Sequence, residues 1–426
     1  MWNQIPKDKL DAMHCELEMA YEQLCAKGLK LNMSRGNPGP DQLDLSMGML
    51  RDWPGDEPDA WIVEGGADAR NYGLLDGIPE AKKFFGELLD VTPAQIIVGP
   101  QASLNLMYDA LSRAVLYGIL GSTPWGKLPK VRFLCPVPGY DRHFRITEKL
   151  GFELITVPMN ETGPDMDVVE ELVKDETVKG MWCVPRFSNP SGIVYSDETV
   201  RRIAALKPAA ADFRVMWDNA YCVHALYPDA PQVLNILEEC EKAGNPDLAY
   251  EFASTSKITF PGAGISAFAS SPANIAEQKK WLGIQTISYD KLNQLRHVRF
   301  LRNKKGVLAH MEKQAALIRP KFELVQEILN RELGGTGIGR WSNPRGGYFI
   351  SFYSLPGCAK AIVERCRKAG ITLTEAGATY PYGNDPEDSN IRIAPTFPSI
   401  EELQLALEGF ALCVKLVSAE KLMSMN

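Results

Sequence analysis

Val215-Met216-Trp217-Asp218-Asn219-Ala220-Tyr221 places an aspartate at the end of a short apolar run. The run reads as a strand of a sheet buried on both faces, where side chains are apolar almost without interruption. Outward from it the pattern recurs. Between about Leu74 and Ser270 helical patterns alternate with apolar runs at 96–98, 131–134, 154–157, 181–184 and 267–269. Strands that alternate with helices predict an α/β fold, a mainly parallel sheet covered by helices on both faces. Ligands of such sheets bind beyond the carboxyl ends of the strands. Residues just after each run are therefore where chemistry is expected.

The flanks differ from this middle. Leu10, Met13, Leu17, Tyr21 and Leu24 lie at helical spacing and lead into a Gly/Pro-rich loop at 34–40. Beyond Asp290 a long helical pattern runs through Val307, Met311, Ala315 and Ile318 towards Leu329, too long for a crossover and suited to joining two lobes. After a glycine-rich turn at 334–339, strands at 347–352 and 391–393 and a helix at 400–417 read as a smaller α+β domain. The expected division is 1–45 as an N-terminal arm and part of the small domain, 46–300 as the large domain, and 301–426 as the interdomain helix and small C-terminal domain.

With 426 residues, 45% hydrophobic and 23% charged, the chain has enough material for two lobes around a shared interface. A net charge of −7 gives no electrostatic footprint for nucleic acid. No run of eighteen apolar residues and no signal-peptide pattern is present, so a cytoplasmic location without membrane partners is the expectation. The nine cysteines form no C-x-x-C pair, and the five histidines lack metal-site spacing, so no metal is expected.

Three segments carry candidate chemistry. Ser254-Thr255-Ser256-Lys257 follows an apolar-rich segment at 248–253. A lysine with an accessible neutral fraction forms a Schiff base, and hydroxyls just before it can bind a phosphate. A solvated lysine in a Ser/Thr loop is as good a reading of that segment alone. Asp218 can pair with a pyridinium nitrogen and keep it protonated, with Tyr221 in reach of the ring's 3-oxygen. An aspartate after a strand also commonly caps a helix. Ser188-Asn189-Pro190-Ser191-Gly192 is a turn whose amide can donate to a phenolate oxygen.

The ordered set of Asn189 in N-P-S-G, Asp218 in D-N-A-Y and Lys257 in S-T-S-K resembles the fold-type I pyridoxal-5′-phosphate (PLP) aminotransferases. The resemblance covers nearly the whole chain and extends to Asn71-Tyr72-Gly73 with Gly77, to the Pro344-Arg345-Gly346-Gly347-Tyr348-Phe349 turn, and to Arg392 in Asn390-Ile391-Arg392-Ile393-Ala394. It implies that Lys257 carries PLP as a Schiff base, that Asp218 sustains the ring as an electron sink, and that Tyr140 stacks on the ring as the third catalytic residue. His143 then resembles a partner of Asp218, although a helix-surface histidine is an equal reading. The resemblance further implies a phosphate site on the N–H groups of Gln101, Ala102 and Ser103, with Ser254, Ser256 and Tyr72 adding to it.

Arg392 resembles the arginine that grips the substrate α-carboxylate, with Asn189 and Gly36 beside it. The position eight residues after Lys257, where most relatives hold a phosphate-pairing arginine, is Ile265, which leaves Arg70 as the candidate cation. This departure resembles the type Ic aspartate aminotransferases, relatives of the enzyme-like domain of MocR regulators. In that frame Lys291 stands where the distal carboxylate of a dicarboxylic substrate is met, across the interface of a homodimer, or merely decorates a helix start. The implied activity is ping-pong transfer of an amino group from aspartate to 2-oxoglutarate. Alternatives are alanine or another amino acid as donor, or a PLP-binding regulatory sensor, for whose winged-helix segment the short arm leaves no room.

Overall fold

The computed structural model describes residues 1–51, 57 and 59–425. The apolar runs become one eight-stranded sheet, with β1 Ile96–Gly99, β2 Arg132–Val137, β3 Glu153–Asn160, β4 Gly163–Pro164, β5 Val178–Cys183, β6 Arg214–Asp218, β7 Ala249–Ser254 and β8 Ser266–Ala269. Their spatial order is β1-β8-β7-β6-β5-β2-β3-β4. Strands β7, β6, β5, β2 and β3 run parallel. Successive side chains point to opposite faces, so Ile96, Val98, Met181, Val215 and Trp217 join one apolar cluster while Ile97, Phe133, Trp182, Met216 and Phe252 join another. Both faces are covered, which is why the runs lack polar alternation.

Among the described residues two strands depart from the parallel expectation, and the short β4 is antiparallel to β3. β8 is antiparallel to both β7 and β1, because the chain turns straight back after Lys257 instead of crossing over through a helix. Lys257 thus lies in a hairpin connection at the carboxyl end of β7, level with Asp218 at the carboxyl end of β6.

The helices used below are α1 Lys7–Ala26, α2 Pro79–Leu89, α3 Ser103–Tyr117, α4 Asp141–Lys149, α5 Pro272–Gln285, α6 Lys291–Leu301, α7 Lys304–Leu333, α8 Ala359–Lys368 and α9 Ile400–Met425. The single long pattern expected beyond Asp290 is two helices. The chain breaks at Arg302, with φ of +66°, and Asn303 caps α7 by accepting from Gly306 N at 3.0 Å. An asparagine cap satisfies the orphan N–H groups of a new helix start, a boundary that apolar spacing does not carry.

A second body consists of the antiparallel strands β9 Gly339–Trp341, β10 Ile350–Ser354 and β11 Asn390–Ile393 with α7, α8 and α9 around them. β10 starts at Ile350 rather than 347, because Gly347 sits at φ of +81°, outside strand geometry. The N-terminal segment packs into this body. Leu31–Asn32 pairs in parallel with Ile371–Thr372, and Tyr21, Leu24 and Met33 share its apolar cluster with Phe410. Among the described residues no helix is long and apolar enough to cross a membrane.

Candidate active site

The Lys257 loop is closed at its base by Thr255 N donating to Ile265 O at 2.9 Å and Ile265 N donating to Thr255 Oγ1 at 3.0 Å. Side chains from several parts of the chain then hold its backbone. The Lys257 carbonyl faces His224 Nε2 at 3.4 Å and Tyr348 Oη at 3.5 Å, and the Ile258 carbonyl faces His310 Nε2 at 2.8 Å and Gln314 Nε2 at 3.4 Å. Gln42 reaches in from the N-terminal segment, donating to both Gln314 Oε1 at 2.8 Å and Tyr348 Oη at 3.0 Å. The Lys257 ammonium nitrogen lies 5.2 Å from the Tyr221 ring centroid and 5.8 Å from that of Tyr348. Burial pushes the Lys257 pKa below its ordinary value, with Arg392 acting in the same sense and the Asp218 charge opposing. A lysine depressed in this way supplies neutral amine.

Asp218 is 4% exposed at the last position of β6. Its Oδ2 lies 2.9 Å from His143 Nε2, and the imidazole is stacked on Trp182 at 4.1 Å with 5° between the planes. His143 is therefore buried against Asp218 rather than on a helix surface. The other carboxylate oxygen, Asp218 Oδ1, is buried and has no partner among the described residues. Such an atom costs free energy unless a donor meets it. Tyr140 stands at the residue just before α4, its ring edge-on to His143 at 4.9 Å, and burial pushes its phenol up to about 12. Burial likewise raises the Tyr221 phenol well above its ordinary value, so both stay protonated donors near neutrality.

Arg392 enters from β11 of the second body. Its Nη1 donates to Asn189 Oδ1 and to Asp141 Oδ1, each at 3.2 Å, and its Nη2 donates to Thr374 Oγ1 at 3.1 Å. Its Nε is buried with no partner among the described residues, and the guanidinium lies 4.8 Å from the Phe349 ring centroid. Gly36 packs on that same ring. A Cβ there would stand 2.5 Å from Phe349 Cζ, so the approach admits only glycine. Asp141, Thr374 and Gln42 carry no pattern that singles them out in the sequence, and Tyr348 stands there only as part of the turn at 344–349. Long-range folding alone brings them here.

The loop Gly99–Ser103 runs from β1 to the first turn of α3, with Ala102 at the N-cap position. Ser256 Oγ donates to Gln101 O at 3.4 Å and Ser254 Oγ donates to Ser256 Oγ at 3.0 Å, so the serines before Lys257 face this loop. A helix N-terminus flanked by hydroxyls is an anion site. Arg70 is not drawn to it. Its guanidinium forks onto Asp68, with Nε to Oδ1 at 2.9 Å and Nη2 to Oδ2 at 2.6 Å. Arg296 of α6 does line a cleft of about 270 Å³ beside the loop, together with Gln101, Gly264 and Asn293. Lys291 opens α6 with its Nζ on Ser288 Oγ at 2.9 Å, and Tyr72 is 80% exposed.

These strand-end residues can be set beside known proteins. The sequence profile of the aspartate amino-transferase family matches residues 5–426. The chain belongs to this family. It is 49% identical over 419 residues to a putative aminotransferase of Mycolicibacterium smegmatis, covering 98% of each chain. It is 46% identical over 418 residues to an aspartate aminotransferase of Corynebacterium glutamicum, covering 97% of this chain and 95% of that one. The crystal structure of an aspartate transaminase from Corynebacterium glutamicum superposes with a TM-score of 0.96 at 45% identity, covering 99% of both chains. The protein is an aminotransferase of fold type I. The relatives settle the class of reaction.

Proposed function

We propose that this aminotransferase transfers the amino group of aspartate to 2-oxoglutarate, using PLP held at the ends of β6 and β7. The observation that carries this reading is the pairing of a buried, depressed lysine, Lys257, with a neighbouring aspartate, Asp218, one of whose buried oxygens has no partner among the described residues. That oxygen fits a protonated ring nitrogen. When bound, PLP supplies an aldehyde carbon that links to amines and a pyridinium ring that draws electrons from the substrate Cα. Gln101, Ala102 and Ser103 would hold its phosphate on their N–H groups with Ser254 and Ser256, and Arg296 is the cation placed to add charge. Asn189 and Tyr221 would donate to the ring oxygen, and Tyr140 would face the ring.

The neutral Lys257 amine is the base that takes the proton from the substrate Cα and returns it on the far side of the transfer. Arg392 binds the α-carboxylate as a fork, aligned by Asn189 and Thr374. Asp218, fixed by His143, holds its charge against the ring nitrogen. Two half-reactions at one site give ping-pong kinetics. The substrate's distal carboxylate, buried between subunits of a homodimer, needs a cation, and Lys291 of the second subunit is assigned that part.

The test is steady-state turnover of purified enzyme with aspartate, glutamate and alanine. Arg392→Ala should impair all three donors alike. Lys291→Ala should weaken aspartate turnover by about ten- to a hundredfold, the loss of one charge-assisted hydrogen bond, and leave alanine turnover nearly unchanged. A wild-type preference for alanine, or an aspartate-to-alanine ratio that Lys291→Ala does not move, would sink the dicarboxylate reading.

A further inference from the structure

Transamination makes no use of a carboxylate that lies behind Asp218. Glu251 sits within β7 between the core residues Tyr250 and Phe252, in register with Trp217, and is only 3% exposed. A buried strand in a parallel sheet is normally apolar throughout, so an acid there needs an account. Glu251 Oε1 accepts from Asn219 Nδ2 at 2.8 Å, and Asn219 Oδ1 is itself buried without a partner among the described residues. Both residues line a cleft of about 530 Å³ walled by the end of α2, the segment 222–235 and α7. That is the size range of small-molecule sites.

The cations that line this cleft are already engaged. Lys304 Nζ is 2.7 Å from Asp90 Oδ1, Arg319 Nε donates to Leu226 O at 2.7 Å, and Arg186 donates to the carbonyls of Cys222 and Pro231. At the floor, Asn219 Oδ1 is the acceptor left without a partner among the described residues. An incoming ligand is therefore called on for donors rather than acceptors. We propose that this cleft is a binding site for a small organic cation bearing N–H donors, a guanidinium or an ammonium group seated on Glu251 and Asn219. Asn219 directly follows Asp218, and its N–H donates to Phe252 O at 2.8 Å. An occupant on Asn219 thus bears on the two strand ends that carry Asp218 and Lys257.

The charged and titratable groups around Glu251 in the cleft are Asp90 just after α2, Arg186, Cys222 and Tyr227 of the loops, and Lys304, Glu312 and Arg319 of α7. Burial raises Glu251 to about 7, so a cation finds an ionised partner more often as pH rises through neutrality. The probe is methylguanidinium, which does not condense with an aldehyde, titrated into PLP-loaded enzyme by calorimetry. Saturable binding is expected, tightening by about tenfold from about pH 6 to about pH 8. Glu251→Gln should weaken it at least about tenfold and remove the pH dependence while keeping aspartate turnover. Leu308→Trp, at a 49% exposed position lining the cleft, should also block it and stands in if Glu251→Gln does not fold. Absence of saturable binding, equal binding by Glu251→Gln, or equal binding of tetramethylammonium, which has charge and no donor, would each overturn the proposal.

Discussion

One guanidinium nitrogen, Arg392 Nη1, serves two acceptors, and one of them is the carboxylate of Asp141 at 3.2 Å. Under the proposed role of Arg392, a substrate carboxylate shares that cation with a fixed like charge. Removing the charge with Asp141→Asn should lower the KM for amino and oxo acids alike by about fivefold, on the order of 1 kcal/mol for a pair that is partly solvated. Steady-state kinetics check this, and a rise in KM would mean that Asp141 holds Arg392 in place instead of competing for it. Asp141 was not legible in the sequence, where it is an ordinary acid in the first turn of a helix. Asp218 and Lys257 were, because each closes or follows an apolar run, and Arg392 was singled out only through the family resemblance. Nothing in the sequence around Arg70 shows that Asp68, two residues earlier, takes its fork within the chain and is held down at about 2 by it.

At the scale of elements, β-strands were readable wherever both sheet faces are apolar, and their direction was not. The run at 267–269 looks the same in either direction, so β8 could not be told from its parallel neighbours. Nor does apolar spacing show the cap at Asn303 that divides α6 from α7. Close approach between strands makes a test. Gly180 lies in β5, where a Cβ would stand 2.4 Å from the Phe133 ring and 2.7 Å from Arg214 O. Gly180→Ala should therefore destabilise the fold by about 1–3 kcal/mol, read as a lower urea midpoint. An unchanged midpoint would show that β2 and β5 can part without cost.

For the whole molecule, the proposed dimer makes a quantitative claim. If Tyr72, 80% exposed in its own chain, and Lys291 complete the partner's site, then a Lys257→Ala chain and a Tyr72→Ala/Lys291→Ala chain each lack something that the other supplies. Refolding the two inactive proteins together in equal amounts should restore roughly a quarter of wild-type activity, since half the dimers are hybrids with one intact site. No recovery would mean that each site is built within one chain. Acid stability is also set globally. Burial lowers His224 from 6.5 to about 3 and His297 from 6.5 to about 4, so the unfolded chain binds protons that the folded one refuses below about pH 6.5. Stability from these groups is whole above pH 6.5 and is lost as pH falls through 4 to 3. Glu251, raised to about 7, acts with the opposite sign as pH rises. Melting temperatures should drop between pH 6.5 and pH 4, less steeply in His297→Gln. An equal slope in that variant would refute the assignment.

The carbonyls of Lys257 and Ile258 are each met by two side chains, and those four come from the loop after β6, from α7 and from the turn before β10. A backbone gripped from so many directions cannot travel with the reaction. Whatever distance the amine covers between donor and acceptor carbon must come from torsions of its own four-methylene stem, which interconvert on the picosecond-to-nanosecond scale. The lysine behaves as a swinging arm on a fixed post, and its motion is far faster than a turnover of about 10 per second. Under the role proposed for Lys257, the reach of that arm then sets no limit on the rate of turnover.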